Sequence, residues 1–471
     1  MSMNPHQELF DRQKAYFWQH LKGSSARDRI RKLKRMKKWI FAHQEDIRRT
    51  VYADFKKPMH EADATEILPL IGEIKDATAH LREWMRPKRV STPMSLIGTR
   101  TQITYEPKGQ SLILAPWNYP FMLTIGPLIS AVAAGCTSII KPSEFSPHTT
   151  ALMVKMIDDL FPQDEVAMVE GDHVVAQELT ALPFDHVFFT GSPQVGRKVM
   201  HAAAEHLTSV TLELGGRNPV IVDDTANLND TARKLIWGKF LNTGQSCMSP
   251  NYVLVHEKIH DKLLAALQKQ FSKAYGPQAA DMQQSPDFGR LISAGHHQRV
   301  SNLVTAATTA GAKVLVGGEA NPADNYLAPT ILHEVQLGNP VLEEEIFGPI
   351  LPILRYQNLN EALDLIRQIE KPLGLYIFSR SQRNINRVIA ETSSGNLIVN
   401  DTTVAFGHPG IPFGGVNHSG IGKAHGHAGF LAFTNEKPVM RQSILLPSTL
   451  LAQAPYTKFK NRVLNLVMRW F

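Results

Sequence analysis

Cysteine is scarce in this chain of 471 residues, which has only Cys136 and Cys247. The two residues show no paired spacing of the kind that marks a disulfide framework or a zinc site. Histidine, cysteine and aspartate form no cluster with metal-ligand spacing either, so we expect no metal ion. A reducing compartment suits this composition, and the charged segment Met1 to Trp18 lacks the apolar stretch of a secretory signal. The sequence therefore predicts a cytoplasmic protein.

Long apolar runs are also lacking, with one exception. The segment from Phe121 to Ile140 has no charged residue over a length that could span a bilayer. Several hydroxyl side chains make it more polar than most spanning helices, and a proline and two glycines interrupt it. We predict instead a buried helix from Phe121 to Ala134, followed by a buried strand that ends near Lys141.

Motifs for nucleic-acid binding are absent as well. The basic cluster from Arg27 to Lys38 contains Ile30, Leu33 and Met36 at helical spacing, which is typical of a solvated helix face. No RNA-binding aromatic motif or zinc-finger spacing accompanies it, so we expect no nucleic-acid partner. The formal net charge of +7 suits an anionic cofactor.

The length of the chain favours roughly two or three domains. Residues 6 to 86 have helical periodicity, and residues 87 to 108 form a short extended excursion. Strands then alternate with helices, which predicts an α/β fold with two parallel sheets and crossover helices. The candidate strands of the first set are Ser111 to Ala115, Thr137 to Ile140, Val166 to Val169, His186 to Phe189 and Val210 to Leu214. Those of the second set are Tyr252 to Val255, Lys313 to Val316, Ile350 to Leu354, Leu375 to Phe378 and Leu397 to Val399.

Cys247 is a candidate nucleophile. It ends the segment from Asn242 to Cys247, downstream of the run from Leu212 to Gly216 that contains Glu213. A free thiol is only a few per cent thiolate at neutral pH, so it needs a base or a stabilising field to react. Glu213 is the first candidate base. The alternative for a lone cysteine is a buried structural thiol.

The surrounding motifs resemble the aldehyde dehydrogenase superfamily, and they occur in that family's order. They are Pro116 to Pro120, Lys141 to Glu144, Phe189 to Ser192, Leu212 to Gly216, Gly244 to Cys247, Glu344 to Pro349 and Pro412 to Gly415. The segments Trp237 to Phe240 and His418 to Gly422 resemble the shorter class 3 type, which includes fatty, aromatic and coniferyl aldehyde dehydrogenases.

The resemblance implies an aldehyde dehydrogenase-like fold, in which two α/β domains with parallel sheets are joined by a small oligomerisation excursion. It also implies a homodimer. The expected divisions are residues 1–86 and 108–214 for a dinucleotide-binding domain, 215–423 for a catalytic domain, 87–107 and 424–445 for oligomerisation segments, and 446–471 for a carboxy-terminal tail.

A cofactor site follows from both pattern and resemblance. Ser192 and Pro193 look like the cap and first position of a helix, whose amino terminus can hold a pyrophosphate. In the family, residues matching Lys141 and Glu144 face the adenosine ribose, which favours NAD although class 3 relatives also use NADP. The implied set of cofactor residues is Trp117, Lys141, Glu144, Gly191, Ser192, Gly196, Leu214, Glu345 and Phe347.

The implied chemistry is oxidation of an aldehyde, medium-chain aliphatic or aromatic, to a carboxylic acid. Cys247 would add to the carbonyl carbon and Asn118 would donate a hydrogen bond to the oxyanion. Glu213 would then activate the water that hydrolyses the thioester. Three alternatives remain open: an enzyme that transfers the acyl group to coenzyme A, a cysteine hydrolase, and a non-catalytic binding protein.

The end of the chain combines basic and apolar residues. Helical spacing places Phe459, Val463, Leu466, Val467 and Trp470 on one stripe. Such a helix could lie on an anionic membrane surface, but it is too short and too charged to span a membrane. The alternative is a helix that packs against its own subunit or a dimer partner.

Overall fold

The structure is a computed structural model, and it describes residues 4–276, 279–445, 449 and 452–469. Within these ranges no helix is long and apolar enough to cross a membrane. The α-helices are Gln7–Tyr16, Ala26–Ala42, Gln44–Phe55, Met59–Ala62, Leu68–Trp84, Met122–Ala134, Pro147–Leu160, His173–Thr180, Pro193–Ala204, Leu228–Phe240, His260–Tyr275, Ala294–Thr309, Leu359–Gln368, Gln382–Glu391, Gly426–Ala432 and Lys458–Arg469.

The first sheet has six strands. In spatial order they are Gly420–Ile421, Ser209–Leu214, His186–Gly191, Gln110–Leu114, Thr137–Lys141 and Val166–Met168. All pairs are parallel except the one made by Gly420–Ile421. Its central strands are buried at almost every residue, as expected for parallel strands with helices on both faces. The five strands predicted for this half of the chain are confirmed.

The second sheet has seven strands. They are Lys313–Val316, Thr330–His333, Ile350–Tyr356, Tyr252–His256, Pro219–Val222, Gly374–Phe378 and Asn396–Val399. All five predicted strands are present, but Lys313–Val316 is an antiparallel edge rather than a parallel member. The sequence did not predict Pro219–Val222, a four-residue strand that follows Leu214 after only four residues and crosses into the other sheet. Thr330–His333 was also missed.

A three-stranded sheet consists of Lys88–Val90, Thr99–Pro107 and Thr434–Gln442. The last two strands pair antiparallel from Pro107 opposite Thr434 to Thr99 opposite Gln442. Thr434–Gln442 lies at an edge of this sheet and is exposed at most residues. Helix Gly426–Ala432, which precedes this strand in the chain, packs on helix Met122–Ala134. The domain limits given above and the role of this sheet in oligomerisation stay predictions.

The buried helix between the first two strands of the chain's α/β region is confirmed as Met122–Ala134. It contains Pro127 and is buried at nearly all its residues. It ends where Gly135 adopts a φ of 85°, a left-handed conformation that glycine adopts readily. The helix begins four residues after Asn118, and its residues Met122, Leu123 and Pro127 line the cavity that contains Cys247.

The tail contains the predicted helix, Lys458–Arg469. None of its side chains is buried, and Phe459 and Leu466 are 73% and 58% exposed. Val463 and Val467 are half-buried. Trp470, the last member of the predicted stripe, lies outside the described residues. On a single chain the apolar stripe is thus largely in contact with solvent.

Candidate active site

Cys247 follows a loop of unusual backbone conformation. Residues 242 to 244 all have positive φ, at 56°, 56° and 71°. Gly244 is required at the third position, because a Cβ there would lie 2.2 Å from the carbonyl oxygen of Gly348. Asn218 holds the chain beyond the loop, where its Nδ2 donates to the carbonyl oxygens of Cys247 at 2.7 Å and Ser249 at 2.9 Å. The position of the thiol is therefore fixed from both sides.

The Cys247 thiol is half-buried, and its electrostatic surroundings favour the protonated form. Burial raises the pKa of Cys247 to about 12, and the carboxylates of Glu345 and Glu213 contribute in the same direction. The backbone N–H groups of Cys247 and Met248 act in the opposite direction. The thiol therefore needs a group that removes its proton before it can attack.

Glu213 lies at the end of strand Ser209–Leu214 and is 7% exposed. Among the described residues neither of its carboxylate oxygens has a hydrogen-bond partner. Burial raises the pKa of Glu213 well above its usual value, and the charge of Lys423 opposes this shift. Gly414 leaves room for the carboxylate, since a Cβ there would lie 2.7 Å from Oε1. An unpaired carboxyl group with a raised pKa is suited to take and return a proton.

The structure brings Cys247 and Glu213 together, because both line one cavity. The first sheet contributes Glu213 and the cysteine loop contributes the thiol. Most of the remaining wall is apolar. It includes Met122, Leu123, Pro127, Phe188, Phe413 and Ala424.

Asn118 is buried and bonded to the cysteine loop. Its Nδ2 donates to the carbonyl oxygen of Gln245 at 3.1 Å. Asn242 joins the two segments, since its Nδ2 lies 2.8 Å from the carbonyl oxygen of Asn118 and 3.0 Å from that of Gln245. An amide nitrogen carries two hydrogens and Gln245 takes one, so the other is available for an oxyanion.

The predicted pyrophosphate site lies at the carboxyl edge of the first sheet. Gly191 ends its strand, and Ser192 caps helix Pro193–Ala204 by accepting a hydrogen bond from the N–H of Val195 at 3.3 Å. Gly196 allows the helix to approach the sheet, because a Cβ there would lie 2.8 Å from Cδ2 of Leu214. These are the properties of a helix amino terminus that can hold a phosphate.

Two further carboxyl groups belong to the predicted cofactor set. Lys141 is buried at the end of strand Thr137–Lys141 and bonds Glu144 at 2.9 Å. The Glu345 carboxylate lies against the backbone of Gly215, where a Cβ would be 2.0 Å from Oε2. Burial raises the pKa of Glu345 to about 8.

Aromatic rings flank this part of the site. Trp117 and Phe347 make an edge contact with ring centroids 5.4 Å apart, and Phe347 has a φ of 46°. His296 contacts both rings, and the sequence analysis missed it. The capped helix end, the close approach of Gly196 to Leu214 and the carboxyl group of Glu345 together fit a dinucleotide.

Fold and site thus define an α/β protein with two large, mostly parallel sheets and a cavity that a half-buried thiol shares with a buried carboxyl group. Residues 11–439 match the aldehyde dehydrogenase family. The chain is 43% identical to 4,4'-diaponeurosporen-aldehyde dehydrogenase of Staphylococcus aureus, over 95% of this chain and 96% of that protein. It is 38% identical to aldehyde dehydrogenase family 3 member A2 of Macaca fascicularis, over 89% of this chain and 84% of that protein. The chain belongs to the aldehyde dehydrogenase family.

Solved structures of similar chains have the same fold. A substrate-bound AldH of Staphylococcus aureus superposes with a TM-score of 0.94 at 41% identity, covering 99% of this chain and 100% of that one. PnpE in complex with nicotinamide adenine dinucleotide has a TM-score of 0.84 at 26% identity, covering 93% and 89%. A GapN complexed with NADP from Methanocaldococcus jannaschii has a TM-score of 0.85 at 26% identity, covering 94% and 95%.

Several neighbours of the site were not predicted. Lys423 faces Glu213, and its Nζ donates to the carbonyl oxygen of Gly414 at 2.6 Å. Lys57 and Glu66 form a fully buried ion pair at 2.6 Å, and Nζ of Lys57 lies 3.5 Å from the carbonyl oxygen of Asn118. These residues belong to helices and loops far away in the sequence, and single polar residues in such segments carry no local signal.

Proposed function

We propose that this chain oxidises an apolar aldehyde to a carboxylic acid with NAD(P)⁺, through a thiohemiacetal and then a thioester on Cys247. The observation that carries the proposal is the cavity shared by Cys247 and Glu213, with its mostly apolar wall. An apolar wall suits an aliphatic or aromatic side chain, since burial of apolar surface is favourable at about 25 cal/mol per Å². The name of the diaponeurosporen-aldehyde relative also supports an aldehyde as substrate.

The side chains of the site divide the steps of the reaction between them. Cys247 forms the bond to the carbonyl carbon, and the Asn118 amide together with the Cys247 N–H donates to the developing oxyanion. Glu213 takes a proton from the water that hydrolyses the thioester, and it also helps to deprotonate the thiol. When bound, NAD(P)⁺ supplies the acceptor for the hydride of the aldehyde.

The buried carboxylate argues against transfer to coenzyme A. Coenzyme A brings its own thiol as the nucleophile, whereas a water molecule needs a base to attack a thioester efficiently. Glu213 has the position and the raised pKa of such a base. A cysteine hydrolase would have no use for the capped helix, Gly196 and Glu345, which fit a dinucleotide.

The cofactor residues favour NAD over NADP. Glu144 can accept hydrogen bonds from ribose hydroxyls, and its charge would repel a 2′-phosphate. Lys141 bonds Glu144, however, and this partial neutralisation leaves NADP as a weaker alternative.

We also propose a cytoplasmic homodimer that contacts membranes through its tail. An exposed strand edge such as Thr434–Gln442 is a ready template for pairing with a second chain. Helix Lys458–Arg469 has a largely exposed apolar stripe next to Lys460, Arg462 and Arg469, a combination that suits an anionic lipid surface.

A screen of aldehydes tests the function. Reduction of NAD⁺ or NADP⁺ is followed at 340 nm with straight-chain aldehydes of increasing length and with benzaldehyde and cinnamaldehyde. We expect activity that rises with apolar chain length, higher with NAD⁺, and dependent on Cys247. Acyl-coenzyme A formation in place of the free acid would overturn the hydrolytic assignment, and no reduction with any aldehyde would overturn the function.

A further inference from the structure

A second polar pair lines the cavity that contains the thiol. The pair is Glu73, on helix Leu68–Trp84, and His425, in the loop before helix Gly426–Ala432. Nδ1 of His425 lies 2.6 Å from Oε1 of Glu73, and the N–H of Gly426 donates to Oε2 at 2.9 Å. Both side chains are nearly buried: the His425 side chain is 13% exposed and the Glu73 side chain is 8% exposed. The sequence analysis assigned no role to either residue.

His425 also borders a second space. A groove on the outer side of the loop is lined by Asp76, His80, Trp84, Pro409, His427 and Leu431, and His425 belongs to its wall as well. No other residue lines both the cavity and the groove as the structure describes them. The imidazole therefore stands between the buried catalytic carboxylate and an opening toward solvent.

Hydrolysis of the thioester leaves a proton on a buried carboxylate. As water attacks the thioester carbon, a new C–O bond forms, one water proton moves to Glu213, and the C–S bond breaks with its electron pair on the Cys247 sulfur. Glu213 must then lose this proton before the next turnover. Its carboxylate is buried, and the described residues offer it no hydrogen-bond partner. Lys423, the nearby cation, can hold the charge but has no lone pair while it is protonated.

We propose that His425, held by Glu73, carries this proton from the cavity to the outer groove. The inference rests on the proposed hydrolytic function of Glu213. The carboxylate of Glu73 accepts Nδ1–H, so Nε2 keeps the lone pair that can receive the proton through cavity water. Glu73 keeps its bond to Nδ1–H and stabilises the resulting imidazolium, which releases the proton on Nε2 to water in the groove. His425 thus acts through Glu213 and does not contact the reacting carbon.

The loop geometry keeps the imidazole in place. His425 has a φ of 67° and Gly426 a φ of 47°. A Cβ on Gly426 would lie 2.0 Å from the carbonyl oxygen of Pro409. On the cavity side the ring of Phe413 makes an edge contact with the imidazole at 5.1 Å. The other ionisable groups around the loop, Asp76, His80 and His427, line the groove and not the cavity.

The test compares His425→Asn and His425→Gly with the control His427→Asn. Asparagine tolerates the left-handed backbone and can still donate to Glu73, but it cannot carry a proton. Glycine tolerates the backbone and leaves space for added imidazole. His427 lines only the outer groove. After rapid mixing with NAD⁺ and octanal, the acyl adduct on Cys247 is measured by intact-protein mass spectrometry at successive times.

We expect all three variants to form the acyl adduct at the wild-type rate. In both His425 variants hydrolysis of the adduct should slow by roughly 10²-fold, and imidazole should restore much of the rate in His425→Gly. Unchanged adduct lifetimes would refute the relay. Longer lifetimes that imidazole does not shorten would also refute it, because they would indicate a structural role. Absence of the adduct in all variants, together with no reduction of NAD⁺ by the wild type, would instead overturn the proposed function.

Discussion

Replacing Asn118 by alanine should slow acylation of Cys247 by about 10²- to 10³-fold, because the oxyanion loses its side-chain donor. The same substitution removes the hydrogen bond to the carbonyl oxygen of Gln245. Loss of a buried hydrogen bond costs about 1–3 kcal/mol when the acceptor is left without a partner. Asn242 still donates to this oxygen at 3.0 Å, so we expect the free energy of unfolding to fall by about 1 kcal/mol. The kinetic effect should therefore greatly exceed the effect on folding.

The assay is the rate of the first-turnover burst of NADH at saturating NAD⁺ and aldehyde. Asn242→Gly is the matched control: glycine accepts the positive φ at this position, and the substitution removes the amide that bonds Asn118 and Gln245. We expect a much smaller decrease for the control. A normal burst rate in Asn118→Ala would refute the oxyanion role, and an equally slow control would assign the effect to the position of the loop.

Three further predictions concern other parts of the chain. Cys247→Ala should abolish NAD⁺ reduction with an unchanged circular dichroism spectrum; retained aldehyde oxidation would exclude the nucleophile. The pKa of Glu345 is raised from 4.5 to about 8, so between these values the folded chain keeps a proton that the unfolded chain releases, and the wild type loses stability as pH rises. The thermal stability of Glu345→Gln relative to wild type should therefore increase from about pH 4.5 to about pH 8 and stay level above it, unlike that of the control Glu344→Gln. The intact chain, but not a truncation after Pro455, should sediment with anionic vesicles at low salt; no sedimentation would exclude membrane contact.

The architecture was largely readable from the sequence, because parallel strands buried on both faces appear as short apolar runs such as Thr137–Lys141. The sequence did not predict strand Pro219–Val222, because this strand follows Ser209–Leu214 after a short turn that contains glycine, with no helix between the two strands. Lys313–Val316 was found, but its direction is set by its neighbour Thr330–His333, which periodicity does not reveal.

Residues of the candidate site could be predicted from the sequence only where several of them belong to one motif. Glu213 lies near the end of a strand and Asn118 follows one, whereas Cys247 lies in the loop between helix Leu228–Phe240 and strand Tyr252–His256, and each belongs to such a motif. The pair of Glu73 and His425 is separated by 352 residues, and only the tertiary fold brings the two side chains within 2.6 Å. The positive φ at Asn242 likewise depends on the loop that it closes. Contacts of this kind have no local pattern in the sequence.

The most direct test of the central claim is the fate of the acyl group in Glu213→Gln. This variant keeps the shape of the side chain but removes the base, so acylation should proceed while hydrolysis slows. Intact-protein mass spectrometry after mixing with NAD⁺ and octanal should show the acyl mass accumulating on Cys247, together with an NADH burst equal to the enzyme concentration. A variant that turns over as the wild type does, with no accumulated adduct, would contradict the assignment of Glu213 as the hydrolytic base.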